Sequence, residues 1–187
     1  KNPIFDYPII TTNSSYLKLV KKFLNKKKVK KYKIILEPYK KNTAPAILAS
    51  ALLEDISPDQ PLIFFSSDNL IDSVSKFNKS ISKNKKYLSN DNIFIFGIKP
   101  ISPSSEYGYF LSKKVSSNIN KIKSFIEKPN KNKVKIIIKK RGYMNSGMFF
   151  MRKDSIINNF KNHQKNLYNL CNDSVKKAKI SNNVYYL

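Results

Sequence analysis

IILEPYKKNTAPAILASALLEDISPDQPLIFFSSDN, residues Ile34 to Asn69, holds two short apolar runs with a helical segment between them. The first run, Ile34-Ile35-Leu36, is ended by Glu37-Pro38. The second, Leu62 to Phe65, is opened by Pro61 and delivers Asp68 into a loop. Apolar runs this short read as buried strands, and the alanine-rich segment between them as a helix. Strand, crossover helix and strand make a βαβ unit, whose two carboxyl ends lie on one edge of a parallel sheet. That edge is where open α/β sheets bind ligands.

Asp68 follows a strand rich in Phe and Ile, where a carboxylate is costly unless solvent or a cation meets it. Two roles suit it: ligand to a metal that serves a phosphate-bearing substrate, or cap on the following helix through a side-chain oxygen. Capping is the commoner role, and spacing alone leaves both open. In the helix before it, Thr43 is the expected N-cap, with Pro45 in the first turn. Ala44, Ala46, Ala49 and Ala51 allow that helix to pack closely on the sheet. Its N-terminus either offers free N–H groups to a nucleotide or is simply capped by Thr43.

Towards the N-terminus, Tyr7 to Thr12 reads as a strand and Asn13-Ser14-Ser15 as a turn and helix cap. The helix from Tyr16 to about Asn25 places Leu17, Val20 and Leu24 on one face, and Lys26 to Lys31 is a solvated connector. Beyond Asp68, the spacing of Ile71, Val74, Phe77 and Ile81 predicts a helix from Leu70 to about Lys83. Ile93 to Ile98 is a continuous apolar run, hence a buried strand. A Ser- and Pro-rich loop then leads to Glu106-Tyr107-Gly108-Tyr109-Phe110, where the glycine serves either close approach of a ligand or a turn or bulge. Ile122 to Ile126 is a strand ending in Glu127-Lys128-Pro129, which by itself is a turn before the next helix, Lys131 to Lys140, with Val134, Ile137 and Ile138 inward. Asp154 is the expected cap of a helix from Ser155, and a second helix runs from about Gln164 to Lys179. The one histidine, His163, reads as solvated surface, and no repeat or linker divides the chain.

A length of 187 residues suits one domain with a substantial core, and 41% hydrophobic residues argue for a folded chain. A lone cysteine, Cys171, excludes an internal disulfide and is compatible with a reducing, cytoplasmic setting. No apolar run approaches the roughly 20 residues that span a bilayer, so no membrane partner is expected. The start, Lys1-Asn2-Pro3, carries neither Met nor the apolar segment of a signal peptide, so the chain is expected to begin inside a longer protein. Formal net charge is +24, yet all but Arg141 and Arg152 of the 36 basic residues are lysine. Specific nucleic-acid readout favours arginine, and these lysines are spread over many segments, as an A- and T-biased coding sequence would leave them. No specific nucleic-acid partner is therefore expected, although nucleotides, sugar phosphates and, at low salt, nucleic acid are attracted.

Taken together these blocks carry a resemblance. Glu37-Pro38, Asn42-Thr43-Ala44-Pro45-Ala46-Ile47 and Ser67-Asp68-Asn69 resemble the mannose-1-phosphate guanylyltransferases of the sugar nucleotidyltransferase family. In that family E-P-x-x-x-N-T-A-P-A-I is followed by a strand ending in A-D-H or S-D-H; Asn69 departs from the histidine and Asp68 is kept. Tyr107-Gly108-Tyr109 is similar to the family's G-Y-G-Y block with Glu106 for the first glycine, and Glu127-Lys128-Pro129 to its E-K-P triplet. Asn145-Ser146-Gly147-Met148-Phe149 is similar to its N-S-G-M-F block, with Met144 in place of Trp. The resemblance spans nearly the whole chain. It implies an α/β fold, a Rossmann-like, mixed and mainly parallel sheet with helices on both faces.

It also implies transfer of a nucleotidyl group from GTP to mannose 1-phosphate, giving GDP-mannose and pyrophosphate with the help of Mg²⁺. Asp68 would hold the metal and, with Lys128, act in catalysis. Asn42, Thr43 and Ala44 would bind the nucleotide, and Gly108, Glu127, Lys128 and Asn145 the sugar phosphate. The side chains suit these roles: Glu127 can accept from two hydroxyls, Lys128 brings a compact positive charge, and Asn145 offers donor and acceptor. Two family features are expected outside this chain, a G-x-G-x-R-L-x-P loop before Lys1 and a second metal-binding Asp after Leu187. Residues 1–187 are then the central part of a single nucleotidyltransferase domain, incomplete at both ends, and by themselves bind substrate at best. A related transferase with other base or sugar preference and a noncatalytic basic nucleic-acid-binding module are the competing expectations. Oligomeric state stays open.

Overall fold

Residues 4–39, 42–89, 91–116 and 119–187 are described by a computed structural model. In chain order its elements are β1 (Ile9–Asn13), α1 (Leu17–Lys26), β2 (Lys33–Glu37), α2 (Thr43–Ala51), β3 (Pro61–Phe64), α3 (Val74–Asn84), β4 (Phe94–Ile98), β5 (Tyr109–Lys114) and β6 (Asn120–Ile126). They continue with α4 (Lys131–Lys139), β7 (Tyr143–Arg152), α5 (Lys153–His163), α6 (Lys165–Lys176), β8 (Lys179–Ser181) and β9 (Val184–Tyr186). Contacts divide the chain into two compact units, Lys1–Leu62 with Arg152–Leu187, and Ile63–Met151. The boundaries fall inside β3 and at the end of β7, which is why no linker is visible in the sequence.

The first unit is built on a sheet of order β1-β2-β9-β8, in which β1, β2 and β9 are parallel. Alternation along β2 distributes the helices. Ile34 and Leu36 point to one face and pack with Leu24, Leu17 and Val20 of α1. Ile35 points to the other, against Ala49 of α2, Leu53, Ile56 and Val175 of α6. Helices therefore cover both faces, as expected of an α/β sheet whose strands carry apolar residues in succession. Asn13 ties the two parallel strands where they end: its Oδ1 accepts from Ser15 N–H (3.1 Å) while its Nδ2 donates to the carbonyls of Glu37 (3.1 Å) and Pro38 (3.3 Å).

Two features hold the loop between α2 and β3. Asp55 pairs with Lys33 and accepts a hydrogen bond from Tyr7 Oη at 2.8 Å. Lys153, only 8% exposed, points its Nζ into the carbonyls of Leu53 (2.8 Å) and Ile56 (2.6 Å). A buried ammonium needs such acceptors; burial pushes the Lys153 pKa down, against the pull of Asp55 and Glu54.

The second unit carries the other sheet, β3-β7-β5-β6, with β4 also on β7. Its β4–β7, β5–β6 and β5–β7 pairs are antiparallel. Helix α4 packs Val134 and Ile137 onto the fully buried Tyr109. The sheet system as a whole is mixed, with the established parallel pairs in the first unit.

Several expectations need correction. The βαβ reading put β2 and β3 in one sheet, but β2 already has β1 on one edge and β9 on the other, and β3 lies in the second sheet. A strand has only two edges. Thr43 is the first residue of α2, not its cap; Asn42 takes the cap position with φ 66°, a left-handed backbone that asparagine tolerates better than most residues. Helix α3 starts at Val74, because Ser73 Oγ caps it by accepting from Lys76 N–H, so Asp68 does not cap it. The Ile93–Ile98 run, expected to be buried, is half-buried to exposed, with Ile93, just before β4, and Ile98, at its end, each 44% exposed. Asp154 lies inside the first turn of α5, where it accepts from Arg152 Nε (3.0 Å) and Nη2 (2.6 Å) and from Ser155 N–H (2.7 Å). Helix α6 ends at Lys176, and β8 and β9 follow as an unforeseen hairpin.

Candidate active site

Four segments of the second unit converge on one cleft of about 410 Å³, lined by the 68–70 turn, Glu106-Tyr107-Gly108, Glu127 and Met144 to Gly147, with Ile98. Of the residues expected to act, Asp68, Gly108, Glu127 and Asn145 come together here. Lys128 adjoins Glu127 but is not among the lining residues; its backbone is left-handed (φ 44°) and hands on to a buried Pro129. Asn42, Thr43 and Ala44 belong to the first unit, at the start of α2.

Each lining residue is presented by identifiable local structure. Asp68 stands in a turn closed twice, by Asn69 N–H to the Ser66 carbonyl (3.2 Å) and by Ser66 N–H to Asn69 Oδ1 (3.0 Å). Asn69, the departure from the family's histidine, is thus the residue that fixes the turn under Asp68. Among the described residues the Asp68 carboxylate has no protein partner of its own.

Gly108 meets Asn145 across the sheet, its carbonyl accepting Asn145 N–H at 2.8 Å. A Cβ at position 108 would come within 2.6 Å of Phe125 Cζ and 2.7 Å of Glu127 Oε2. The glycine therefore leaves room for two side-chain ends, Phe125 on the neighbouring strand and Glu127 just past it, a reason the sequence did not disclose. Asn145 Oδ1 accepts Gly147 N–H (3.2 Å), which fixes the amide's orientation and leaves its Nδ2 protons for a ligand. Gly147 is left-handed (φ 73°), and a Cβ there would face open space.

The rim at Glu106 is set from the core. Buried Tyr109 donates its hydroxyl to the Ser104 carbonyl (2.9 Å) and accepts from Ser104 N–H (3.4 Å); Ser104 Oγ in turn accepts Glu106 N–H (3.2 Å). Sequence reading treated Glu106 only as a replaced glycine, yet it lines the cleft beside Asp68 and Glu127. Three carboxylates and no lysine or arginine line this cleft, in a chain of net charge +24. Walls with three carboxylates, beside the amides of Asn69 and Asn145, suit a ligand that presents hydroxyls. No group of three or more His, Cys, Asp or Glu side chains among the described residues is placed to hold a metal ion.

The family model described as nucleotidyl transferase matches residues 2–185, and the chain belongs to that family. It is 32% identical over 152 residues to a mannose-1-phosphate guanylyltransferase of Escherichia coli, covering 76% of this chain and 33% of the relative. It is 27% identical over 171 residues to the alginate biosynthesis protein AlgA of Pseudomonas fluorescens, covering 89% of this chain and 35% of that protein. The chain thus spans about a third of the length of the curated relatives it matches. Among solved structures, mannose-6-phosphate isomerase from Helicobacter pylori superposes with a TM-score of 0.85 at 27% identity, covering 98% of this chain and 72% of that one. No helix among the described residues is long and apolar enough to cross a membrane.

Proposed function

We propose that the protein carrying this chain transfers a nucleotidyl group from GTP to mannose 1-phosphate, releasing pyrophosphate and forming GDP-mannose, in the cytoplasm. One observation carries the reading: Asp68, Gly108, Glu127 and Asn145, far apart in sequence, line a single cleft whose chemistry suits a hexose. Family membership and the names of the relatives point the same way. In this reading a phosphate oxygen of mannose 1-phosphate attacks the α-phosphorus of GTP in line. A bond to that oxygen forms, and the bond to the bridging oxygen of pyrophosphate breaks.

The chain's own residues bind and orient. Glu127 accepts from sugar hydroxyls, Asn145 donates through Nδ2, and the open space before Gly147 admits the ring. Lys128 reaches the sugar phosphate, and Asn42, Thr43 and Ala44 meet the nucleotide. Asp68 is an exposed, unpaired carboxylate, and magnesium is suited by one or two protein carboxylates with the remainder supplied by water and phosphate. When bound there, the ion would supply neutralisation of phosphate charge. The residues present fit it through Asp68 alone.

The test, on the whole protein that carries this chain, is a turnover and thermal-shift screen of GTP, dTTP and UTP, each with mannose, glucose and N-acetylglucosamine 1-phosphates. Selective pyrophosphate release with GTP and mannose 1-phosphate is expected. Preference for another pair reassigns the substrates within the family, and no release with any pair refutes transfer.

A further inference from the structure

We propose that the β5–β6 hairpin is a second anion-binding site, separate from the cleft, that takes a small polyphosphate-bearing ligand. Lys113, Lys114, Val115, Lys121, Ile122 and Lys123 line a cavity of about 750 Å³ and share no residue with the cleft that holds Asp68. Between Glu106 and Glu127 the sequence has no acidic residue, so the four lysines have no carboxylate on their own hairpin. Among the described residues none of the four makes an ion pair, in contrast to Lys31 and Lys33, which are paired with Asp6 and Asp55.

Register makes this arrangement costly when empty. Lys113 stands directly opposite Lys121, and like charges facing each other across an antiparallel pair are destabilising. The ladder slips between Leu111 and Ser112, so Lys123 falls between the partners Ser124 and Ile122 as an extra residue. Such a bulge re-aims the side chain it adds. Lysines on an exposed edge strand commonly block edge-to-edge pairing, which would account for Lys121 and Lys123 on β6. It does not account for Lys113 and Lys114, which sit on β5.

Lys113 and Lys121, cross-strand partners and therefore on one face of the ribbon, suit a compact ligand with several negative charges. Lysine binds phosphate as a point charge, without the fork geometry of arginine. A di- or triphosphate group has the required charge density; a single carboxylate does not. The site does not depend on the transfer reading.

Titration of the full chain with inorganic triphosphate tests it. Binding is expected, weakened by at least about tenfold in Lys113→Gln/Lys121→Gln, as loss of charge-assisted contacts implies. The control Lys18→Gln/Lys22→Gln, which removes the same charge from α1, should bind as the parent does. Equal weakening in both variants, or none in the hairpin variant, would overturn the site. Phosphatidylserine vesicles provide the second arm: vesicle binding through the hairpin that triphosphate fails to displace would assign the surface to lipid and refute a small ligand. A stability readout is independent of binding, since Lys121→Glu should raise Tm in the absence of anion and abolish the Tm rise that triphosphate produces in the parent. A fall in Tm on removing these charges would contradict the repulsion on which the site is argued.

Discussion

Replacing Gly108 by alanine adds one methyl group between two strands that leave it no room. The new Cβ would stand 2.6 Å from Phe125 Cζ and 2.7 Å from Glu127 Oε2, where ordinary contact begins at 3.4 Å. Gly108 does not have a left-handed backbone, so the substitution adds no backbone strain and acts through these two contacts. Phe125 is 45% exposed and can swing towards solvent, which puts the loss of stability near the low end of the overpacking range, about 1 kcal/mol. For a domain of this size that lowers Tm by about 2–4 °C. Glu127 has to retreat by about 0.7 Å, and displacements approaching 1 Å at a positioning group cost up to about 10²-fold in rate. The expected signature is therefore a small change in Tm with a ten- to hundredfold fall in kcat/KM for mannose 1-phosphate, read by pyrophosphate release at saturating GTP, on the order of magnitude that such misplacement gives. Gly147→Ala is a comparison for stability alone: its φ of 73° makes alanine strained with no clash, so it should lose about 1 kcal/mol, while its Cβ would enter the space assigned to the ring. Wild-type kcat/KM in Gly108→Ala would refute the claim that Glu127 is held by the space this glycine leaves.

Asp68→Asn should remove most magnesium-dependent turnover without a shift in Tm, checked by magnesium titration of activity. Glu127→Gln should lower kcat/KM for mannose 1-phosphate by about ten- to a hundredfold, the equivalent of a charge-assisted hydrogen bond, while GTP affinity by calorimetry is unchanged. Ser155 is fully buried and its Oγ has no hydrogen-bond partner among the described residues, so Ser155→Ala should raise stability by up to about 1 kcal/mol in urea unfolding. Burial disfavours the Asp55 carboxylate, but the bonds from Lys33 and Tyr7 outweigh it and lower its pKa. A depressed pKa contributes stability above the unfolded value near pH 4 that is lost as pH falls through the folded one; Asp55→Asn should flatten Tm against pH on that acid limb.

What the chain disclosed by itself depended on the range of the interaction. The apolar runs at Ile34–Leu36 and Leu62–Phe65 are local signals, and they became β2 and β3. Which sheet each joined was decided by pairing with β9 and β7, contacts distant in sequence that a run of apolar residues cannot encode. The β8–β9 hairpin did leave a local mark. Asn182 and Asn183 both have positive φ, the two-residue turn that asparagine favours between short strands, but the strands are only three residues each. That Asp68, Gly108, Glu127 and Asn145 are brought together in one cleft was legible where residue type met motif. Glu106 was not, because its place is fixed through Ser104 by a buried tyrosine hydroxyl. For Asn42 the expected helix start held to within one residue, since a left-handed asparagine is hard to tell from a threonine cap by spacing.

Lys153 makes the first unit its own gauge of opening. Most of the chain's amines lie in solvent, whereas this one is sealed against two carbonyls of the Leu53–Ile56 turn. An acylating reagent can reach it only in the instants when α5 parts from that turn. The rate at which its peptide gains mass therefore counts local excursions of one unit, in the manner of amide exchange, while the surface lysines, labelled at once, serve as the internal standard.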